Sequence, residues 1–262
     1  MRQKSLGVTG VSVWKLIARE FDKKRKSRAK KVVEILNSKE SVTVEAKIAE
    51  NMAKEFAKKM SEKWKWSTIC GEVKDVVQYL DGDLEVAIND HRVRVSVPDS
   101  VRTILTGVRK YDGIYAVYGV RGGEKSFEVF LPLSLDDMIL VIPDEVKRIG
   151  AMFKVADMIE TYAYRSQNDE LLKMAERIRE HARWELNMET EFVRTGTLTP
   201  STTDAYLMGV MDHLIEMTPP DDKDAKEIIE FIRRILKTES TPDVTIEAVR
   251  EEYRKMSTSG GG

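Results

Sequence analysis

The chain has 262 residues, 42% of them apolar and 33% charged, with a formal net charge of −1 at pH 7, and this length allows one large domain or two ordinary ones. Its single cysteine, Cys70, excludes an internal disulfide and any metal or iron–sulfur site built from several thiolates. No apolar run reaches about 18 residues and the N-terminus has no signal-peptide core, so we expect a soluble, cytoplasmic protein that has no membrane partner.

The first region, residues 1–66, is predicted to be a basic helical arm. It contains 18 Lys and Arg against 8 Asp and Glu, whereas residues 67–142 and 143–262 both have an excess of acidic residues. A basic arm on an otherwise acidic protein favours a polyanionic partner, although a solvated helix face produces the same pattern. The densest stretch supplies the predicted contacts of the arm, Lys23, Lys24, Arg25, Lys26 and Arg28.

Apolar residues in this arm recur every three or four positions, which predicts two amphipathic helices. The first covers Val11 to Leu36 and the second covers Ser41 to Lys65. We expect their apolar faces to pack on the following domain, and a partner-binding face is the alternative. Trp64 and Trp66 alternate at the junction with that domain and form either a stacking clamp or a packing seam, of which we favour the packing seam.

Between residues 67 and 142 the hydrophobic period changes to the period of two that half-buried strands require. Turn residues separate five predicted strands, and a short helix follows Pro98 between the third strand and the fourth. In chain order the strands are Thr68 to Tyr79, the alternating runs Leu84 to Ile88 and Val93 to Val97, Tyr111 to Val120, and the alternating run Phe127 to Leu131.

The order strand, strand, strand, helix, strand, strand favours an OB-fold, a five-stranded, partly open barrel that binds oligonucleotides or oligosaccharides. Gly71, inside the first strand, marks the bulge or sharp bend that a small barrel needs. An SH3-like barrel is the nearest competitor, but it does not normally need the helix before the fourth strand. We therefore predict an α+β protein in which an OB-fold barrel at 67–142 is flanked by the N-terminal arm and a C-terminal all-α region.

From residue 143 onward the pattern is helical again. Two long helices are predicted in residues 143–195, followed by a C-terminal helical module in residues 196–256 that begins with a linker, and by a flexible tail in residues 257–262. The apolar stripe of the first long helix is assigned to subunit assembly, through Val146, Ile149, Phe153, Ala156 and Ile159.

A protein that binds single strands needs cations and aromatic rings on one surface, because single strands expose both phosphates and base faces. If Val93 and Val95 point into the barrel, Arg92 and Arg94 project from the outer face of the third strand, on the usual oligonucleotide face of this fold. Loop cations and four aromatic rings complete the predicted contacts of the barrel, which are Arg92, Arg94, Arg121, Lys125, Tyr79, Tyr115, Tyr118 and Phe130.

Two features of the barrel argue against strong binding by this region alone. Tyr115 and Tyr118 are three positions apart in one strand, so at most one of them faces the ligand unless a bulge intervenes. Asp83, Glu85 and Asp90 place negative charge near the same face. We expect weak intrinsic affinity there, with much of the electrostatic attraction coming from the basic arm.

The sequence carries no signature of catalysis. His91, His181 and His213 are far apart and have no second metal ligand at a suitable spacing, and no glycine-rich phosphate loop or nucleophile elbow occurs. Aspartate pairs such as Asp81 and Asp83 lie in predicted turns or helix starts, where acidic residues are favoured, so that a two-metal nuclease is only a minor alternative. We predict a non-catalytic protein that uses no cofactor and no metal.

The arrangement resembles the archaeal replication protein A group, specifically its shorter single-OB members and associated proteins. The segments that carry the resemblance are residues 13–21 (VWKLIAREF), 71–73 (GEV), 111–119 (YDGIYAVYG) and 155–160 (VADMIE). The resemblance covers about residues 11–165 and is one of pattern and order.

This resemblance implies a single-stranded DNA-binding protein of replication and repair, with RNA as the alternative ligand. It also implies that the helix after the barrel joins other replication protein A-like subunits, and that the C-terminal helices recruit repair or replication proteins. Asp222–Lys237 and Thr245–Lys255 look like the first two helices of the family's winged-helix module, but no evident recognition helix or wing follows. The competing hypothesis is a protein-binding adaptor or assembly subunit whose barrel does not bind nucleic acid.

Overall fold

The structure, a computed structural model, describes residues 13–198, 201–237 and 244–259. Two helices open it, α1 (Val13–Ser38) and α2 (Thr43–Lys58), and a single π-helical turn at Lys59–Lys63 extends α2. The helical segment ends short of the predicted Lys65, because that residue adopts a φ of 60° and turns the chain toward the first strand.

Five antiparallel strands form one open sheet in the order β3-β2-β1-β4-β5, with the helix α3 (Asp99–Gly107) between β3 and β4 in the chain. The fold is therefore α+β, and its strands and α3 follow one another in the predicted order. Within the described residues β3 and β5 are the sheet edges, so the sheet does not close into a complete barrel. The strands are β1 (Ser67–Gln78), β2 (Leu84–Ile88), β3 (His91–Val95), β4 (Tyr115–Arg121) and β5 (Glu124–Phe130).

The long strand β1 belongs to both halves of the sheet. Its first half, from Ser67 to Glu72, pairs with β4, and its second half, from Val73 to Gln78, pairs with β2. The register shifts between Val73 and Asp75, which is the irregularity expected where a strand bends. Gly71 precedes the bend, and a side chain there would collide with the Asn89 amide at 2.0 Å, so glycine lets the β2–β3 turn approach β1.

Helix α2 covers one outer face of the sheet. Its small residues Ala49, Ala53 and Ala57 are buried and let the helix lie close to β1, β4 and β5. Together with Met60 they enclose a separate apolar cluster that includes Phe130 of β5. The buried face of α2 therefore packs on the sheet, as predicted for the second helix of the arm.

In the described part of the chain six helices follow the sheet, and five of them pack around the sixth, α5 (Pro143–Ser166). Helix α5 contacts α6, α7, α8 and α9, while α4 is a short segment whose N-cap, Ser134, forms a capping box with Asp137. The helices are α4 (Leu135–Val141), α5 (Pro143–Ser166), α6 (Asp169–Thr195), α7 (Thr203–Met217), α8 (Lys223–Lys237) and α9 (Val244–Ser259).

The apolar stripe of α5 that was assigned to subunit assembly is buried inside this chain. No member of the stripe is more than 6% exposed, because the other C-terminal helices surround α5. These side chains are therefore unavailable to another subunit, and the prediction of an oligomerisation surface there is wrong. The residues concerned are Val146, Ile149, Phe153, Ala156 and Ile159.

The core of the sheet and the core of the helices are continuous. Leu131, directly after β5, donates its backbone N–H to the Arg194 carbonyl at the end of α6, with an N···O distance of 2.6 Å. A Cβ added at Gly196, just after α6, would lie 3.1 Å from Ile104 and 3.8 Å from Leu131, so the chain packs closely on the sheet there. The predicted linker residues 199 and 200 and the tail residues 260–262 lie outside the described residues, and α9 extends through 257–259.

In the described part of the chain, every helix is too short or too polar to traverse a lipid bilayer.

Candidate nucleic-acid interface

Arg92 and Arg94 project from the outer face of β3, as predicted, because Val93 and Val95 point into the core. Both arginines are engaged by acidic side chains of neighbouring strands. The guanidinium of Arg92 donates to Glu85 at 3.0 Å and to Asp75 at 3.2 Å. These bonds raise the pKa of Arg92, with the Glu85 bond as the largest cause.

Arg94 has equivalent partners at the β1–β2 turn. Its Nε donates to Asp83 at 3.2 Å and its Nη2 to Asp81, while the guanidinium lies 4.4 Å from the centre of the Tyr79 ring. The Tyr79 hydroxyl donates to Glu85 at 2.9 Å, and this bond raises the tyrosine pKa. Four carboxylates therefore face two guanidinium groups on this surface, and a phosphate would have to displace them.

Of the four predicted stacking rings, only Tyr79 is exposed on the predicted face, with 38% of its surface accessible. Phe130 is 4% exposed and lies 5.8 Å from the Phe56 ring of α2, so its predicted stacking role is wrong. Tyr115 is partly buried in the same cluster under α2. Tyr118 points to the opposite side of β4 and packs against the main core, as the strand period requires.

The β4–β5 hairpin carries the predicted cations Arg121 and Lys125 away from the β2–β3 face. Arg121 donates to the Trp64 carbonyl at 2.8 Å, which ties the hairpin to the junction between α2 and β1, and Lys125 is exposed. Trp64 packs edge-on against Phe56 at 6.1 Å, in agreement with the packing seam that was favoured, but it remains 40% exposed. A second, smaller surface with both cations and an aromatic ring is therefore formed by Arg121, Lys125 and Trp64.

Helix α1 presents two different faces. Its buried face, with Ala29, Val32 and Ile35, packs on the core, and α3 is the main neighbour. The opposite face carries Lys23, Lys26 and Lys30, one helical turn apart and all exposed; we call these three residues the lysine stripe. Among the described side chains no carboxylate lies within 4.0 Å of Lys26 or Lys30, and Lys23 pairs with the exposed Glu20 at 2.7 Å.

Arg28, one of the predicted contacts of the arm, points toward the body of the protein. Its guanidinium pairs with Glu145 of α5, and only 13% of the arginine side chain and 7% of the glutamate side chain are accessible. A nucleic acid cannot reach this pair without separating α1 from α5, so the predicted contact role of Arg28 is wrong. Lys24 and Arg25 are exposed on the flank of α1 that faces α5.

A groove of about 300 Å³ lies between α1 and the start of α3. On one side it is lined by Asp22, Arg25 and Lys26, and on the other by residues 98–100 at the start of α3 and by residues 197–198. The basic arm and the start of α3 are more than 60 positions apart in the sequence, yet the fold brings their surfaces together here. Nothing in the sequence pattern predicts this neighbourhood.

No metal-binding cluster of three or more His, Cys, Asp or Glu side chains occurs in the described part of the chain. Cys70 is half-buried next to α2, and burial raises the pKa of its thiol, which disfavours the reactive thiolate. Arg148 and Asp204, to which no sequence pattern points, face α1 across a cavity of about 230 Å³. No family model, no curated protein and no solved structure matches the chain.

Proposed function

We propose that this chain is a non-catalytic, single-stranded DNA-binding protein whose sheet is an OB-fold with an open edge. The proposal is supported by the strand order, by the shared long strand β1, and by the position of α3 between β3 and β4. A five-stranded, partly open barrel of this kind presents the outer face of its second and third strands to oligonucleotides. Membership of the archaeal replication protein A group, and a role in replication or repair, belong to the same proposal.

The single observation that carries the proposal is the lysine stripe, Lys23, Lys26 and Lys30, on the solvent face of α1. Sequence-independent binding of a strand depends chiefly on phosphate neutralisation by lysine and arginine. Unlike Arg92 and Arg94, the lysines of the stripe have no buried or multiple acidic partners among the described side chains. We expect the strand to follow the stripe and the groove beside Lys26, and to reach Tyr79 on the β2–β3 face, whose exposed ring stacks on a base.

The test is fluorescence anisotropy with a labelled oligo-dT at several salt concentrations. Replacing the stripe by glutamine, Lys23→Gln, Lys26→Gln and Lys30→Gln together, is expected to weaken binding about tenfold or more and to reduce the salt slope by about 2, since each lysine–phosphate contact on a single strand contributes about 0.7. The matched control replaces three exposed lysines of α6 and α8 in the same way, Lys173, Lys223 and Lys237. Equal weakening in both triple variants, or no binding by the unmodified protein at low salt, overturns the proposal.

A second candidate function is supported by the acidic partners of Arg92 and Arg94. A face on which carboxylates outnumber guanidinium groups, next to the free edge of β3, suits a basic protein segment better than a phosphate chain. This is the adaptor hypothesis. It gains support if neither the unmodified protein nor the variant Asp81→Asn with Asp83→Asn binds oligo-dT at low salt.

A further inference from the structure

A cavity of about 230 Å³ lies between α1, the first turns of α5 and residues 201–204 at the start of α7. Four cationic side chains line it, and two carboxylates and one hydroxyl complete its polar lining. Phe21 stands at its side and is 40% exposed. The lining residues are Phe21, Lys24, Arg25, Arg28, Glu145, Arg148, Ser201 and Asp204.

Both carboxylates of the cavity are already neutralised by their own cations. Glu145 pairs with Arg28, and both side chains are largely buried. Asp204 lies 3.0 Å from the Nε of Arg148. The excess positive charge of the lining therefore belongs to Lys24 and Arg25. No carboxylate among the described side chains lies within 4.0 Å of Lys24, and Arg25 has only a loose pair with the exposed Asp22, at a distance of 4.0 Å.

Two further acidic side chains of α6 lie near this cluster, and neither offsets that excess fully. Glu189 is buried beside Glu145 and Arg28, and burial together with the Glu145 charge raises its pKa to about 8, so it keeps its proton at neutral pH. Glu185 accepts a hydrogen bond from Thr202 and lies 3.6 Å from the Nε2 of His181. Because Thr202 is neutral and His181 is a cation only when protonated, Glu185 remains one negative charge near the cluster, which is fewer than the two charges of Lys24 and Arg25.

The geometry points to a binding site for a phosphate monoester in this cavity, with the phosphate between Lys24, Arg25 and Arg148 and the attached group beside Phe21. Guanidinium and ammonium groups from two helices converge there, which is the arrangement that phosphate recognition uses. The exposed aromatic ring favours an ester whose organic part carries a flat aromatic ring, such as a nucleoside. This inference goes beyond the proposed function, because it needs no nucleic-acid strand.

The experiment is isothermal titration at constant, low ionic strength with adenosine 5′-monophosphate, inorganic phosphate and adenosine as separate probes. We expect the monophosphate to bind, phosphate to bind more weakly, and adenosine not to bind. The double variant Lys24→Gln with Arg25→Gln, in which both residues are exposed, is expected to weaken monophosphate binding about tenfold. The matched control, Lys30→Gln on the opposite face of α1, is expected to change it less than twofold.

Three outcomes would overturn the inference: no heat with the monophosphate at millimolar concentration, equal binding of adenosine and the monophosphate, or equal weakening in the double variant and the control. A 5′-phosphorylated oligo-dT compared with its 5′-hydroxyl form separates the two sources of the ester. A preference for the phosphorylated strand indicates a strand terminus, and equal affinity together with monophosphate binding indicates a free nucleotide. Failure of oligo-dT binding in both forms affects only the proposed function.

Discussion

At the scale of single residues, Gly113 shows how one backbone conformation positions α2 on the sheet. Gly113 has a φ of +74°, and a Cβ at this position would lie 2.6 Å from the Cβ of Ala46 in α2. Its N–H also donates to Glu72 at 3.1 Å, which connects the approach to β4 with β1. Both the left-handed conformation and the close contact require glycine.

We expect Gly113→Ala to lower the free energy of unfolding by about 2–4 kcal/mol, because it adds conformational strain and pushes α2 away from the sheet. Gly122→Ala is the control: its φ is +58°, but nothing lies within 4 Å of the added Cβ. It should cost only about 1 kcal/mol. Urea unfolding measures both values, and equal losses would contradict a close-packed contact between Gly113 and α2.

Glu189 is a second residue whose surroundings determine a measurable property. The carboxyl group is buried, and desolvation, the Glu145 charge and the Glu185 charge raise its pKa, while Arg28 lowers it; the resulting pKa is about 8, against an ordinary value of 4.5. Between pH 4.5 and 8 the unfolded chain loses this proton while the folded chain keeps it. The Glu189 contribution to stability therefore falls as the pH rises through that window and levels off above pH 8.

We expect Glu189→Gln to remove this part of the pH dependence and to raise the free energy of unfolding at pH 8 by roughly 2–4 kcal/mol relative to the unmodified protein. Glu176→Gln, at an exposed position of the same helix, should leave the pH profile unchanged. Denaturant unfolding from pH 5 to 8.5 gives both profiles. If the free energy of unfolding of the Glu189→Gln variant changed with pH as steeply as that of the unmodified protein, the carboxyl group of Glu189 would be hydrated in solution.

At the scale of elements, α1 is attached to the body by apolar contacts with α3 and by the Arg28–Glu145 pair with α5. Removing one partner of a buried ion pair leaves a charge without compensation, whereas replacing both by apolar side chains often costs little.

We expect Arg28→Ala to destabilise the protein by about 3–5 kcal/mol, and Arg28→Met with Glu145→Met to cost clearly less. Lys23→Ala, which breaks an exposed pair, should cost under about 1 kcal/mol. Thermal and urea unfolding test this order, and a double variant as unstable as Arg28→Ala would contradict it.

The elements themselves were largely predictable, since each depends on local periodicity and turn residues. The alternation at Leu84, Val86 and Ile88 identified β2, and the Pro98 start identified α3. Helix α4 escaped prediction because it has only seven residues, too few for a periodic signal. The burial of Phe130 could not be predicted either, because the alternation within a strand does not show which face of the sheet a helix will cover. The acidic partners of Arg92 and Arg94 depend on strand register, which local patterns leave open.

At the scale of the whole molecule, long-range contacts join the sheet to the C-terminal helices across the predicted boundary at residues 142 and 143. The backbone of Leu131 bonds to Arg194, whose side chain donates back to the Leu133 carbonyl at 3.3 Å. Arg28 of α1 pairs with Glu145 of α5 across the same boundary. The apolar cluster that begins at Ala29 runs without interruption from the sheet interior to α9.

Because the main apolar cluster spans this boundary, we expect the full chain to unfold in one cooperative transition, with calorimetric and van't Hoff enthalpies that agree. The fragment 1–142 should lack a cooperative transition, since it exposes Leu131, Leu133 and Met138, which are 1% accessible in the full chain. Differential scanning calorimetry of the full chain and near-ultraviolet circular dichroism of the fragment provide the measurements. Two resolved transitions, or a fragment with a fixed aromatic signal and a sharp melt, would mean that the sheet is a separate folding unit to which the helices are only attached.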